Sequence, residues 1–207
     1  EQKISDYLQK AKDQKAYLLS LKKKILDCEI IEIIVDNEVD GFRIFETLNN
    51  RGIPLAQHEL VKNYIYSYMR SRIKQEKVTN TWKKITVCNG TESLPSFLTH
   101  YCTHRYGKTK KNDEFKSIRD NTKKSDVEFL LSDLVKASEY YRYIEDPSFY
   151  KQIAGYNKVI YRALDFFKKM NIRQVRPLLL SLFKNWDDTL SNQQRIEKCF
   201  YNLEVFY

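Results

Sequence analysis

DGFRIFETLNNRGIPLAQHELVKNY, residues 40–64, joins two helix starts across a glycine break, and its reading decides the fold. Asp36 and Asn37 close a preceding strand, and Asp40 is suited to cap a helix on which Phe42, Phe45 and Leu48 recur at helical spacing. The opposite face carries Arg43, Glu46, Asn49 and Asn50, three or four residues apart, so a cation, a carboxylate and amides converge on one patch. Asn50, Arg51 and Gly52 end this helix because glycine takes the left-handed cap conformation, and Pro54 keeps Ile53 extended. A second helix begins near Ala56, with Leu60, Val61, Tyr64, Ile65, Tyr68 and Met69 as its apolar stripe.

Working outward, 207 residues with 42% hydrophobic content suffice for a sizeable core. Only 5 Gly and 4 Pro leave little room for a turn-rich all-β fold. The expected class is mainly α (α+β at most), a multi-helix globular domain with one short strand region near residues 28–35. Upstream, Ile4–Leu26 reads as an amphipathic helix with Leu18, Leu19 and Ile25 among its core positions and Lys22, Lys23 and Lys24 solvated near its end. CEIIEIIV, residues 28–35, is β-branched and continuous enough for a strand, whose exposed edge offers a route to an oligomer. Downstream, helices are expected over 81–87, from Ser96 through His104 after an Asn89-Gly90 turn and a Ser93–Ser96 loop, and over 113–120 and 125–143. Others follow over 163–170 and 175–186, and from Leu190 to the end. Leu178, Leu179, Leu180, Leu182 and Phe183 mark a buried core helix.

Chemistry-bearing residues are fewer. Cys28, Cys88, Cys102 and Cys199 lack C-x-x-C spacing and read as reduced, buried thiols. His100 and His104 share a helix face, but no HExxH carboxylate stands between them, and Tyr101 and Tyr106 point to aromatic packing, so no metal site is assigned. No phosphate-binding glycine loop, nucleophile elbow or nuclease carboxylate cluster is complete. No run is apolar for a transmembrane length and no signal peptide begins at Glu1, a pattern read as cytoplasmic and without a membrane partner. The loop at Asn49–Gly52 fits anion recognition: Arg51 supplies a forked donor, Asn49 an amide, and Gly52 allows close backbone approach. The plainer alternative is a capped turn in which Asn49 and Arg51 bond backbone carbonyls.

Phe45-Glu46-x-Leu48-Asn49-x-Arg51-Gly52-x-x-Leu55, followed by Glu59-Leu60 and Lys62-Asn63, resembles the signature of the ParB/sulfiredoxin-like N-terminal domain of GmrSD-type restriction endonucleases. Phe97-Leu98-Thr99-His100-Tyr101 and Gln174-Val175-Arg176-Pro177-Leu178-Leu179-Leu180 are similar to two further blocks of that family. The resemblance implies a modification-dependent restriction or phage-defence protein. Residues 1–72 would then be the C-terminal part of a nucleotide-sensing ParB-like domain, and 73–207 a helical domain linking it to a nuclease. It further implies a nucleotide or phosphate pocket formed by Glu46, Asn49, Arg51 and Gly52. Glu46 takes the acidic role because Leu48 stands where ParB-like domains place a glutamate before the asparagine. The family's D-G-Q-Q-R motif and HNH module would lie before Glu1 and after Tyr207. This chain alone is therefore expected neither to hydrolyse nucleotide nor to cut DNA and to hold no cofactor, while nucleoside triphosphate and Mg2+ belong to the full-length protein.

Charge supplies a second candidate site. The chain's net charge is +9, and residues 73–125 hold 12 Lys and Arg against 5 Asp and Glu, whereas the segments on either side each hold 12 against 11. Lys108, Lys110, Lys111, Lys116, Arg119, Lys123 and Lys124 are the densest part, with Tyr101, Tyr106 and Phe115 among them. Such a local surplus attracts phosphates and makes DNA the expected partner. A non-catalytic helical nucleic-acid-binding or protein-interaction module is the second reading, and a scaffold with solvated lysine faces the third.

Overall fold

The computed structural model describes residues 13–29, 32, 34, 44, 55–69, 71–110, 112–154, 156–186 and 189–207, apart from the side chains of 91 and 92. It divides into two compact units, Glu1–Arg43 and Ile44–Tyr207. Regular structure among the described residues is helical throughout, as the composition requires of a mainly α chain. The described members of the expected strand, Cys28, Glu29, Glu32 and Ile34, carry no regular structure. Ile30, Ile31, Ile33 and Val35 lie outside the described residues, and with them the expected strand edge.

In the first unit, helix α1 spans Gln14–Leu26. The sequence reading runs a helix straight through Asp13, but that carboxylate accepts from the Lys15 and Ala16 backbone N–H groups, both at 3.0 Å. Asp13 is thus the N-cap of α1. No α1 residue is buried: Leu19 is 58% and Ile25 63% exposed, so the expected core stripe is solvent-facing. Lys23 and Lys24 occupy the last turn, where a cation complements the helix dipole.

The second unit starts its described helices with α2, Gln57–Ser67, and buries Leu60, Val61, Tyr64 and Ile65, as their spacing demands. Helix α3 runs Arg72–Tyr106 and is two segments joined at Gly90, whose φ of 70° and ψ of 157° are open only to glycine. The expected Asn89-Gly90 break is therefore a kink. The expected loop at Ser93–Ser96 is helical instead, because Pro95 falls close after the restart, where its missing N–H sacrifices only the bond back to residue 91.

Gly107, at φ 87°, ends α3. Then come α4 (Glu114–Asn121), a 3-10 turn (Lys124–Asp126) and α5 (Val127–Glu145). Asp146 stops α5 and caps the short α6, Pro147–Lys151, accepting from the Ser148 N–H at 3.2 Å. Helices α7 (Lys158–Lys169), α8 (Arg176–Lys184) and α9 (Leu190–Phe206) complete the described elements. In α7, Ile160, Ala163, Leu164 and Phe167 are buried at helical spacing.

Packing centres on α3, α5 and α8, which contact one another pairwise. Helices α2 and α4 cover α3, while α6, α7 and α9 form the other flank, with α9 against α7. Phe97, Leu98, Tyr101, Leu134, Tyr141, Leu179 and Leu180 are inaccessible at the centre. Each such aliphatic or phenyl side chain contributes on the order of 1.5–3 kcal/mol by leaving water. The expected core helix around Leu178–Phe183 is present, yet Leu178 itself is exposed because its angular position faces away from α3 and α5. All four cysteines are free thiols, but only Cys102 is buried; Cys28 and Cys199 are exposed, which corrects the reading of scattered thiols as buried ones.

Candidate functional site

Glu46, Asn49, Arg51 and Gly52, together with Lys111, lie outside the described residues. The rest of the basic cluster sits on the α3–α4 loop, on α4 and around the following 3-10 turn. Phe115 and Ile118 anchor α4 inward, the Phe115 N–H donates to Gln57 Oε1 at 3.0 Å, and the Tyr64 hydroxyl donates to the Thr122 carbonyl at 3.3 Å. That attachment turns Lys116, with Lys108, Lys110, Lys123 and Lys124, out to solvent. Arg119 is half-buried, its guanidinium 5.4 Å from the Phe115 ring centroid and its Nε donating to Asp120 at 3.1 Å. Lys124 Nζ lies 5.8 Å from the Tyr68 ring centroid.

Two details sharpen what this patch can do. Glu114, one of the acids within the cluster, is buried and accepts from the Thr99 hydroxyl at 2.6 Å, so its charge faces α3 rather than the lysines. The aromatic residues in the same stretch also turn inward: Tyr101 and Phe115 are buried, and Tyr106 is half-buried with its hydroxyl enclosed. Stacking on bases is thereby removed from the patch, leaving ammonium groups suited to phosphate.

The blocks around His100 and Arg176 meet through α5. His100 Nδ1 lies 2.8 Å from the Tyr141 hydroxyl, the Arg176 guanidinium donates to that hydroxyl at 3.4 Å, and Arg176 pairs with Glu145 at 2.5 Å. Burial and the nearby Arg176 charge hold His100 down at about 4, so it is neutral at neutral pH. Beside this cluster, buried Asp133 of α5 accepts from the Tyr101 hydroxyl at 2.7 Å and the Arg105 guanidinium at 2.6 Å, and also pairs with Lys184. These clusters tie α3, α5 and α8 together. No group of three metal-ligating side chains occurs among the described residues, and the Cys102 thiol faces the Glu114 carbonyl at 3.7 Å.

Sequence reading missed a pocket of about 600 Å3 bounded by α5, α6, α7, α8 and α9. Phe183 is its buried hub. The Tyr140 ring lies parallel to Phe183 at 12° and 5.5 Å between centroids, while Tyr143 and Tyr150 meet Phe183 edge-on at 6.2 and 5.8 Å. Tyr156 meets Tyr150 edge-on at 6.4 Å, and Trp186 closes the aromatic lining. Burial raises the Tyr140, Tyr143 and Tyr150 hydroxyls above their ordinary range, keeping them protonated. Gln193 and Glu197 of α9 add an amide and a carboxylate. The density of tyrosines between 140 and 161 was a legible signal, but residues from five helices and the loops between them reveal a pocket only once the helices pack.

Residues 1–66 match the family model described as GmrSD restriction endonuclease, N-terminal domain. The match covers the first of the two compact units and reaches α2. No curated protein matches the chain, and no solved structure does. No helix among the described residues is long and apolar enough to cross a membrane.

Proposed function

We propose that the chain is part of a modification-dependent restriction or phage-defence protein, in which residues 1–72 contribute to nucleotide sensing and residues 73–207 engage DNA and link to a nuclease module. The observation that carries this reading is the match of residues 1–66 to a restriction-endonuclease N-terminal domain. Within it, Glu46, Asn49, Arg51 and Gly52 hold nucleotide phosphate, and nucleoside triphosphate with Mg2+ acts in the full-length protein. The outward lysines of the α3–α4 region contact duplex backbone. A purely non-catalytic nucleic-acid-binding module is the second reading, and the patch's inward acid and inward aromatic residues favour sequence-indifferent phosphate contact in either case.

Charge reversal tests DNA engagement. Phosphate contacts release counterions, so each one lost flattens the dependence of log affinity on log salt by about one unit. Lys108→Glu, Lys110→Glu and Lys116→Glu together should lower duplex affinity in fluorescence anisotropy and flatten its salt dependence. The matching triple change at Lys22, Lys23 and Lys24 should have a smaller effect. Indistinguishable slopes for the two triple variants would remove the patch from the proposal.

A further inference from the structure

The aromatic pocket has the features of a ligand site rather than a packing defect. A defect among so many rings would be dry and apolar, whereas this volume is bordered by side chains with unused hydrogen-bonding capacity. The Glu197 and Gln193 side chains make no hydrogen bond or ion pair among the described residues, although both line the pocket from successive turns of α9. The Tyr140, Tyr143 and Tyr156 hydroxyls likewise have no hydrogen-bond partner among the described residues. Asn157 is committed, its side chain capping α7 by accepting from Val159 and Ile160 N–H at 2.8 and 3.2 Å. Its N–H donates to the Tyr150 hydroxyl at 3.2 Å, which holds that ring in the wall.

We propose that this pocket binds an unpaired nucleobase, stacked against its tyrosine and tryptophan rings, with Glu197 and Gln193 reading the base's polar edge. Flat π-faces from several helices suit a planar heteroaromatic ligand, and base stacking on such rings is largely independent of base identity. The carboxylate adds selectivity. Glu197 only accepts hydrogen bonds, so it favours guanine, cytosine and adenine, which present amino donors, over thymine and uracil. Guanine fits best because its N1–H and amino group form a two-pronged donor for one carboxylate. A volume of about 600 Å3 admits a base with its sugar. Lys158 on the pocket's edge, and Lys198 beside Glu197 in an adjoining cleft of about 280 Å3, offer cations to the attached phosphates. The base could belong to a free nucleotide or to an unpaired position in a strand; only the latter rests on the DNA reading above.

The protein carries a built-in reporter. Of its 2 tryptophans, Trp82 is 4% exposed in the core and Trp186 lines the pocket. The Trp82 indole N–H makes no hydrogen bond among the described residues, so Trp82→Phe isolates the Trp186 emission without breaking one there. Titrating this variant with GMP, UMP, choline and a mixed-sequence single-stranded 12-mer decides the proposal. GMP should quench Trp186 and UMP should need about tenfold more. Glu197→Gln, nearly isosteric, should narrow that preference, while Tyr156→Ala should weaken every nucleotide by about tenfold. Tighter, salt-sensitive quenching by the 12-mer assigns the base to a strand, and equal or weaker quenching assigns it to a free nucleotide. Quenching by choline alone, or no quenching in a protein of unchanged circular dichroism, overturns the proposal. Because this readout is blind to the lysine patch, GMP binding with unaltered duplex salt slopes would count against the patch and not the pocket.

Discussion

Asp133 on α5 accepts a hydrogen bond from the Arg105 guanidinium of α3 at 2.6 Å while pairing with Lys184 of α8, so one carboxylate joins three helices. Asp133 is 6% exposed, and its loss leaves Arg105 and Lys184 facing one another without the carboxylate that both engage. Breaking a buried pair from one side costs about 3–5 kcal/mol, and the partial exposure of Arg105 places the expected value at the lower end. Asp133→Ala should therefore lose about 3 kcal/mol in urea denaturation. A loss below ~1 kcal/mol would show that the three helices hold without this junction.

His100 gives the fold a pH dependence of determinable sign. Its folded-state value lies at about 4 against an ordinary 6.5, chiefly through burial and then through Arg176. Between these values the unfolded chain binds the proton that the folded chain refuses, so stability falls as pH drops from about 6.5 to 4 and is unaffected above. His58 and His104 are lowered in the same direction, so the comparison must be made against a variant. His100→Gln, which keeps a side chain able to hydrogen-bond Tyr141, should lose less stability than the wild type between pH 7 and 4. Parallel melting-temperature profiles would remove His100 from the account.

Gly90 joins the two segments of α3 in a conformation that side chains resist. Nothing lies within 4 Å of a Cβ built there, so the expected penalty is conformational alone. Gly90→Ala should destabilise by about 1–3 kcal/mol. Gly90→Asn should fare no better, since ψ of 157° is far from the left-handed helical region that asparagine tolerates. Chemical denaturation of both variants checks this, and full stability in either would mean that the kink straightens readily.

In the full-length protein, Asn49→Ala and Arg51→Ala should reduce nucleotide binding more than they reduce stability. A purely structural cap at a helix end is worth about 1 kcal/mol. Calorimetric titration with nucleoside triphosphate and Mg2+, beside melting curves, separates the two roles. Unchanged affinity with lower melting temperatures would favour the capped turn.

The local alphabet of the chain was sufficient for much of the fold. The apolar spacing of Leu60, Val61, Tyr64 and Ile65 determined both α2 and its buried face, because a 3.6-residue period admits one inward stripe. Gly107 and Asp146-Pro147 stand where α3 and α5 end, through backbone restrictions that act whatever surrounds them. The charge count located the lysine cluster, since charged side chains on a short, anchored helix have nowhere to go but water.

Other features belonged to the tertiary structure alone. Pro95 reads as a loop residue until the glycine kink places it near a helix restart, and Asp13 reads as a residue inside a helix until its carboxylate is seen to cap the next turn. Leu19 and Leu178 have the hydropathy of core residues, but burial depends on which face meets a neighbouring element, and both side chains stay exposed. Tyr101 and Phe115 stand among lysines in sequence and point away from them in space. The aromatic pocket is the extreme case: Tyr140, Tyr156, Phe183 and Glu197 come from four separate stretches, and their common boundary follows from helix packing, which no local period encodes.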